Sequence, residues 1–379
     1  MKILIICHKN IQNPLDGGGV ASKKIFTDLQ KKYRTDIICL NNKKDNIVED
    51  NFNFNINTDF NFKKLVLSLF SKRSYQADRF FSKNILKKII YIINEKKYDY
   101  VLFEGVFPAV YLNGIQKKCN CKTIIRTHNI EHEIWQNLQR NSNNLIKKIF
   151  YLFVKRQIKK WEDYICKKSD ILCCISKNDT KYFNKLTKKN IRILPVSFKT
   201  NKSKKNNKFS VFHLGSMDWK PNIEGVNWFI EKVWPKFAQK NIPIYCYFAG
   251  KKMPNKIMSK SSNKLIIEST IQDAKQYMQN KSVMIVPIFS GSGIRIKILE
   301  GMALGIPIIS TTKGAAGIPY KNEKNILIAN NELDFYNSII KLYSNPELYE
   351  RISLEGRKLI QNNFSSNIVV EEWNNIVFT

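Results

Sequence analysis

Short apolar runs alternate along the chain with longer segments in which apolar residues recur at helical spacing. Runs without polar alternation are typical of strands covered on both faces, as in parallel sheets. The repeated order of strand and helix predicts an α/β protein with doubly wound parallel sheets. In the first half the predicted strands are Lys2 to Cys7, Thr35 to Leu40, Tyr100 to Glu104, Thr123 to Arg126, Ile171 to Ile175 and Ile191 to Leu194.

One segment near the middle interrupts this alternation. Residues 199–210, KTNKSKKNNKFS, have no apolar periodicity and many turn-forming residues, which predicts an exposed linker. A chain of 379 residues also exceeds what one core normally serves. We therefore expect one doubly wound domain over residues 1–198 and a second over residues 211–360, facing each other across a cleft. Residues 361–379 are expected to form a helix that packs back on the first domain.

The densest mixture of glycine and charge lies between two buried runs of the second half. Residues 283–287, VMIVP, precede the segment FSGSGIRIKILEGMALG, and residues 306–309, IPII, follow it. This order predicts a strand, a glycine-rich turn, a helix over residues 295–304 and a further strand. Such a turn presents backbone N–H groups and the positive end of a helix dipole at the carboxyl edge of a parallel sheet. Phosphate-bearing ligands bind at that edge.

The spacing within this segment assigns candidate roles. Glu300 follows Gly293 by seven residues, close to two helical turns, so both are expected on one face. A ligand whose phosphates lie at Gly293 would then extend a sugar hydroxyl to the Glu300 carboxylate. Arg295 and Lys297 are two residues apart and point to different sides of the helix. The candidate ligand contacts here are Ser292, Gly293, Ile294, Arg295, Lys297 and Glu300.

Charge and composition narrow the classes of partner. The formal net charge is +32, and residues 1–200 carry 39 Lys and Arg against 17 Asp and Glu. No nucleic-acid recognition motif accompanies this charge, so nucleic acid is not expected as a partner. No apolar span approaches the twenty or so residues of a membrane helix, and MKILIICHKN reads as a first buried strand rather than a signal peptide. We expect a cytoplasmic protein whose eight cysteines are reduced.

One basic segment leaves two interpretations open. Residues 144–168 alternate aromatic and aliphatic residues with cations at helical spacing. A helix that faces the core and has a solvated basic side is the simpler interpretation. The alternative is attraction to anionic lipid headgroups at a membrane surface, reinforced by the basic pairs at residues 87–88 and 96–97.

A metal site is the less favoured interpretation of the cysteine and histidine residues. Cys119 and Cys121 precede His128 and His132, but the intervening KTIIRT reads as a strand that would carry the histidines away from the thiols. The chain also contains no Asp-x-Asp motif, so the ligands of a metal-clamped diphosphate are missing. We predict no bound metal and no cofactor.

Three glycines near the start suggest a wall of the ligand site. Residues 17–19 follow the first strand by roughly ten residues and precede a helix that is expected to begin near Ala21. A dinucleotide fingerprint needs its glycines directly after the strand and an acid after the next strand, where Leu40 and Asn41 stand. A nicotinamide enzyme is therefore disfavoured. The loop, with Gly18 and Gly19, is predicted to be a mobile wall against donor or acceptor.

Several segments together resemble the retaining glycosyltransferases of family 4, which have the two-domain GT-B fold built of Rossmann-like domains. The strongest is GSGIRIKILEGMALGIPIISTTKGAAGIP, and VFHLGSMDWKPNIEGVNWFIEKVWP and FAGKKMP are also similar. In the first half, DGGGVASKKIF, RTHNIEHEIW and ILCCISKND are similar to the acceptor-side segments of that family. The resemblance runs over most of the chain, in family order.

The resemblance implies roles for particular residues. The second glutamate of the family's paired signature falls on Glu300, which would hold the ribose of the nucleotide. The first falls on Ser292, so this glutamate is absent and backbone amides would take its place. Ser216 stands where the family often has an arginine. Lys220 is the candidate for the lysine that follows, beside Gly215 in the same loop.

The resemblance also assigns residues in the first half. His128, in the sequence THN, would line the cleft between donor and acceptor, and Glu131 in the same loop is a candidate substrate contact. The implied activity is transfer of a sugar, with retention, from a UDP- or GDP-sugar to a glycan or lipid-linked acceptor of surface polysaccharide synthesis. Two alternatives remain open: a sugar-nucleotide binder without activity, and an epimerase with the same two-domain shape that acts on the nucleotide sugar.

Overall fold

The computed structural model describes residues 1–12, 16–42, 52–61, 65–66, 68, 73–189, 191–201, 208–240, 242–291 and 293–378. The chain forms two compact units, Met1–Ser197 with Ser366–Thr379 and Phe198–Ser365. Each unit contains one parallel sheet covered by helices. The predicted α/β class with two doubly wound sheets is confirmed. No helix among the described residues is long and apolar enough to cross a membrane.

The first unit is built on a sheet of seven described strands, all parallel, in the order β3-β2-β1-β4-β5-β6-β7. Their central segments are almost wholly buried, as expected for strands with helices on both faces. The strands are β1 Lys2–Cys7, β2 Arg34–Asn42, β3 Asn53–Ile56, β4 Tyr100–Glu104, β5 Lys122–Thr127, β6 Ile171–Cys174 and β7 Arg192–Ile193.

Helices cover both faces of this sheet. They are α1 Gly17–Gln30, α2 Tyr75–Asp78, α3 Lys83–Lys96, α4 Leu112–Lys118, α5 Glu131–Arg140, α6 Leu145–Lys168 and α7 Lys177–Leu186, with a 3-10 turn at Pro108–Tyr111. The sequence pattern located every strand except β3, whose residues NFNI alternate polar and apolar side chains at the sheet edge.

The second unit repeats the arrangement with six described strands in the order β10-β9-β8-β11-β12-β13, again all parallel. The strands are β8 Ser210–Leu214, β9 Tyr245–Ala249, β10 Leu265–Glu268, β11 Val283–Val286, β12 Ile308–Ser310 and β13 Leu327–Ile328. The helices are α8 Lys220–Trp228, α9 Trp234–Gln239, α10 Asn255–Met258, α11 Ala274–Gln279, α12 Ile296–Ala303, α13 Glu332–Ser344 and α14 Pro346–Asn363. A π-helical turn at Phe229–Val233 joins α8 to α9.

The last helix, α15 (Ser366–Val377), belongs to the first unit. Its Trp373 is fully buried in the core beneath β1 and lies 6.0 Å, ring to ring, from Tyr100. Tyr100 Oη also donates a hydrogen bond to the carbonyl of Val377 at 3.2 Å. Burial of a tryptophan and its apolar neighbours holds this helix to the sheet of the first unit.

Both sheets reverse their strand order at the first strand of the unit. β1 lies between β2 and β4, and β8 lies between β9 and β11. The loops after β1 and β4 therefore diverge, and so do the loops after β8 and β11. This opens a crevice at the carboxyl edge of each sheet. The candidate site residues are distributed over these two crevices.

The structure corrects the expected start of the first helix. α1 begins at Gly17, because the Asp16 side chain caps it by accepting a hydrogen bond from the Gly19 N–H at 2.8 Å. Gly18 and Gly19 therefore belong to the first helical turn and are not in a loop before Ala21. The prediction that Gly18 and Gly19 lie in a loop was therefore wrong.

The predicted linker can be followed only in part. Residues 202–207 lie outside the described residues, as does Ser292 of the glycine-rich turn. Upstream of the gap, the Asn201 N–H donates to the carbonyl of Ala303 at 2.9 Å. The chain is thus already attached to the second unit at Asn201.

Candidate functional site

The crevice of the second unit is formed by the loops after β8 and β11. The loop after β8 ends at Trp219, which precedes α8, and the loop after β11 ends at Arg295, which precedes α12. The guanidinium carbon of Arg295 lies 4.5 Å from the centroid of the Trp219 ring. A cation stacked on an indole face at this distance is attracted by the electron-rich ring.

Gly291 makes this stacking possible. Its φ of +102° lies in the left-handed region, and a Cβ there would lie 2.6 Å from Trp219 Cζ2 and 3.1 Å from Arg295 Nη2. Any other residue would therefore strain the backbone and push the ring and the guanidinium apart. The glycine of the turn is required by the close approach of Trp219.

Arg295 is largely buried, and burial lowers the pKa of its guanidinium to about 10. Its Nη1 donates to the carbonyl of Gly293 at 2.9 Å. An arginine with this pKa remains charged at neutral pH. The turn therefore places a partly desolvated positive charge beside the start of α12, where the helix dipole adds further positive potential.

The predicted donor contacts at α12 do not form a single group in the structure. No side chain of a described residue caps α12 at Arg295. Lys297 Nζ lies 2.6 Å from Glu300 Oε2, one turn further along the helix. The two cations of the segment therefore have different surroundings: Arg295 stacks on Trp219, and Lys297 pairs with Glu300. Ile294, which directly precedes Arg295 in the turn, is buried.

The two other candidates of this unit are Gly215, in the loop after β8, and Lys220, at the start of α8. The Asn222 amide donates to the carbonyl of Ser216 at 2.8 Å, and a Cβ on Gly215 would lie 2.5 Å from the same amide nitrogen. A side chain at position 215 would therefore occupy the space that Asn222 needs for its hydrogen bond to the loop. Lys220 is the first residue of α8 and forms an exposed ion pair with Glu224 at 3.3 Å.

The crevice of the first unit is organised around a buried carboxylate at the end of β4. Glu104 and Arg126 are both fully buried and lie opposite each other in register on β4 and β5. Arg126 Nη1 donates to Glu104 Oε2 at 2.9 Å, and its other nitrogens donate to the carbonyls of Leu194 and Pro195. Every part of the buried guanidinium therefore has an acceptor, as a buried charge requires.

Glu104 is ionised despite its burial. Burial by itself raises the pKa of this carboxyl, but the charges of Arg126 and His128 and their hydrogen bonds lower it to about 2. An ionised carboxylate only accepts hydrogen bonds. Glu104 Oε2 accepts one from Ser22 Oγ at 3.2 Å and one from His128 Nε2 at 2.8 Å.

This contact fixes the tautomer of His128. Because Glu104 can only accept, His128 Nε2 carries the proton of this contact, and Nδ1 is the nitrogen that holds the lone pair whenever the ring is neutral. The position of a Cβ on Gly18 would be 3.7 Å from this Nδ1. The first turn of α1 and the histidine ring are therefore in contact, which brings the predicted residues Gly18 and His128 together.

His8 and Lys9 follow β1 directly and complete this crevice. The His8 ring packs edge-on against Phe80 and Phe107, with centroid separations of 5.2 and 5.4 Å. Burial, followed by the charge of Lys9, lowers the pKa of His8 to about 3, so its ring is neutral at neutral pH. Lys9 Nζ forms an ion pair with Asp16 at 2.6 Å.

The structure also corrects the position of Glu131, which is not in the loop of His128 but in the first turn of α5, next to His132. Glu162 on α6 holds both: its Oε1 accepts from the Glu131 N–H at 2.9 Å, and its Oε2 lies 2.7 Å from His132 Nδ1. Burial and the Glu162 charge raise the pKa of Glu131 to about 7. A carboxyl that titrates near neutral pH can take up or release a proton at working pH.

The cysteines and histidines near β5 do not come together. β5 occupies Lys122–Thr127, so it separates Cys121 at its start from His128 at its end, as the pattern predicted. Within the described part of the chain, no group of three or more His, Cys, Asp or Glu side chains is arranged to hold a metal ion.

Four residues of the two crevices were not predicted: His8, Glu104, Arg126 and Trp219. A signal for the central pair is present in the sequence, because a buried strand run ends in FEG and the next contains IIRT. Opposite charges inside adjacent buried strands must pair, since neither can be buried alone. Trp219 was detectable as a large aromatic residue in the loop after the first strand of its sheet.

Comparison with known proteins agrees with this architecture. Residues 208–345 match the family model described as Glycosyl transferases group 1. An uncharacterised 44.6 kDa protein in the cps region of Klebsiella pneumoniae is 26% identical over 285 residues, which cover 72% of this chain and 73% of that protein.

Solved structures are similar over nearly the whole chain. Sucrose-phosphate synthase from Thermosynechococcus elongatus has a TM-score of 0.72 at 12% identity, covering 99% of this chain and 97% of that one. Anabaena HepE in complex with UDP-glucose has a TM-score of 0.67 at 11% identity, covering 100% of both chains. The chain thus has the GT-B fold of glycosyltransferases, and its second unit carries the match to the group 1 glycosyl transferases.

Proposed function

We propose that this protein transfers a glycosyl group from a nucleotide diphosphate sugar to a saccharide acceptor, with retention at the anomeric carbon and without a metal ion. The observation that carries the proposal is the turn of Gly291, Trp219 and Arg295 at the start of α12, which lies within the segment matched by the glycosyl transferase model. The fold is shared with HepE, which was crystallised with UDP-glucose.

The turn suits a diphosphate for electrostatic reasons. Arg295 is positively charged, partly desolvated and held by Trp219, so it loses little freedom when it binds an anion. Its low pKa, caused by burial, means that a nearby negative charge would stabilise the charged form. When the sugar leaves, negative charge grows on the diphosphate, and fixed cations with helix-end amides bind that charge more strongly than they bind the ground state.

Glu300 and Lys297 form the next part of the proposed donor site. In the retaining glycosyltransferases that the sequence resembles, the residue at the position of Glu300 holds the ribose. Its pairing with Lys297 at 2.6 Å holds the carboxylate in a fixed orientation until a ribose hydroxyl arrives. Ser292 stands where the family has its first glutamate. The backbone amides of Gly293 and Ile294 are proposed to take the role of that glutamate.

The first unit contains the residues that we propose to contact the acceptor. His128 has Nε2 committed to Glu104, so Nδ1 is the ring atom that can accept a hydrogen bond from a substrate hydroxyl. Glu131, with its pKa of about 7, is the proposed group that exchanges a proton with the acceptor. The acceptor is proposed to be a glycan or lipid-linked saccharide of a surface polysaccharide, in line with the relative from a cps region.

The test begins with a panel of UDP- and GDP-hexoses. A ligand that binds the folded state raises the melting temperature, so thermal shift identifies the donor. Arg295→Ala and Glu300→Gln are expected to reduce the shift and to leave the fold of the free protein intact. Arg351→Ala and Glu347→Gln, at exposed positions on α14, are the matched controls. An unchanged donor shift in both site variants would refute the site.

The reaction is then assigned with the identified donor and a panel of saccharides. Transfer and hydrolysis release free nucleotide, epimerisation changes the sugar without releasing nucleotide, and a binder leaves the donor intact. Proton NMR of the product's anomeric position distinguishes retention from inversion. Turnover that survives chelator supports the metal-free mechanism, and turnover lost in chelator and restored by a divalent ion contradicts it.

A further inference from the structure

The start of α6 exposes a cluster of apolar side chains. Val154 is the first buried residue of the helix, and none of the nine residues before it, LIKKIFYLF, is buried. Leu145 is 73% exposed, Ile146 79% and Ile149 63%. Single exposed apolar residues are common on proteins, whereas three within two turns of one helix form an apolar cluster of the kind found at interaction sites.

Helical geometry turns this cluster away from the protein core. At about 100° per residue, Ile149 and Ile158, which are nine residues apart, point in directions about 180° different. Ile158 lies on the buried side of α6, together with Val154, Trp161 and Ile165. Ile149, with Leu145 about 40° from it around the helix, therefore lies on the face opposite the core-facing side, and Ile146 lies on the flank, about 60° from Ile149.

The same outward face becomes basic further along α6. Arg156 and Lys160 follow Ile149 by seven and eleven residues, which places them within about 20° of it. Both are exposed. From residue 134 to residue 161 the chain contains seven Lys and Arg and no Asp or Glu. The outward face of α6 thus presents apolar side chains followed by cations, and residues 134–161 contribute no acid to it.

We propose that this outward face of α6, defined by Leu145, Ile146, Ile149, Arg156 and Lys160, docks on a membrane surface that contains anionic lipid. Apolar side chains at one end can enter the boundary between headgroups and acyl chains, while the cations contact lipid phosphates. A second copy is a poorer partner, since it would bring two strongly basic surfaces together in a chain of net charge +32. The proposal concerns a partner and is independent of the transfer reaction.

Vesicle sedimentation tests the proposal with the full chain. The protein is expected to sediment with vesicles of phosphatidylcholine and phosphatidylglycerol, and to remain in the supernatant with phosphatidylcholine alone. Leu145→Ser with Ile146→Ser and Ile149→Ser should weaken partitioning by about tenfold or more. Arg156→Ser with Lys160→Ser should weaken it severalfold and reduce its dependence on salt.

Matched controls separate docking from damage to the fold. Leu333→Ser with Leu354→Ser removes exposed apolar residues from the second unit, 56% and 44% exposed, and should leave partitioning unchanged. All variants should keep the wild-type melting temperature, because no buried side chain is altered.

Three outcomes would overturn the proposal. Equal binding to neutral and anionic vesicles would show that the cations do not contribute to docking. Full binding by the triple serine variant would show that the apolar side chains do not contribute. Sedimentation equilibrium showing a dimer that the triple variant abolishes would assign the face to a second copy. Donor binding, measured without vesicles, is not expected to depend on any of these substitutions, so the two proposals fail separately.

Discussion

The buried carboxylate of Glu104 offers a sharp test of how the first crevice is organised. Glu104→Gln keeps the size of the side chain but leaves the Arg126 guanidinium buried without its counter-charge. Removal of one partner from a buried ion pair costs about 3–5 kcal/mol of unfolding free energy. The pKa of Glu104 gives a second route: a fall from 4.5 to about 2 corresponds to about 3 kcal/mol. The two routes agree in magnitude.

The pH dependence gives the prediction its sign. The folded state holds the pKa of Glu104 below its unfolded value, so ionised Glu104 stabilises the fold fully above about pH 4.5. This contribution is lost as pH falls toward 2. The difference in stability between wild type and Glu104→Gln should therefore be about 3 kcal/mol or more at pH 7, and should shrink at pH 3.

Urea unfolding followed by circular dichroism at both pH values measures this difference. The double variant Glu104→Gln with Arg126→Met is the control, because it removes both charges and should recover much of the lost stability. A cost below about 1 kcal/mol for Glu104→Gln, equal at both pH values, would show that Arg126 does not depend on this carboxylate. The reasoning about the crevice would then fail.

Three further predictions follow from the site geometry. Glu131→Gln should stabilise the fold by about 3 kcal/mol at pH 8 and little at pH 4, because the raised pKa of Glu131 destabilises the fold as pH rises from about 4.5 through 7; urea unfolding at both pH values measures this. Gly291→Ala should cost about 1–3 kcal/mol in unfolding free energy, since the added Cβ meets Trp219 and φ is positive, and should reduce the thermal shift by the donor; equal shifts would contradict the role of the turn. Nitrogen-15 NMR of the histidines, only four in the chain, should give His128 a proton on Nε2 and none on Nδ1 at pH 8, and the opposite tautomer would contradict its contact with Glu104.

The sheets were predictable because their strands are buried on both faces. A run such as KILIIC has no polar residue to interrupt it, and the structure assigns it to β1 with the bounds that the pattern gave. β3 was missed because an edge strand pairs on one side and tolerates the alternating residues NFNI. The start of α1 was also missed, because three successive glycines oppose helix formation by propensity and only the cap by Asp16 reverses this.

The sites were predictable where one segment contains the whole signal. Gly293, Arg295 and Glu300 lie within eight residues of one another, so their turn and helix could be inferred from sequence alone. The stacking of Arg295 on Trp219 could not, because it joins loops that follow two different strands of the sheet. Side-chain contacts between distant segments depend on strand order, which the pattern of apolar runs does not specify.

The two crevices show how one topology supports different chemistry. In each unit the first strand lies at the reversal of strand order, and a loop followed by a helix comes directly after it. After β8 this loop contains Gly215 and Trp219, and the crevice has the partly buried Arg295 as its charge. After β1 it contains His8, and the buried charge is the carboxylate of Glu104, which is balanced by Arg126 and directed at His128. The backbone thus provides the same opening twice, and the sign of the charge buried beneath it decides whether that opening suits an anion or orients an imidazole.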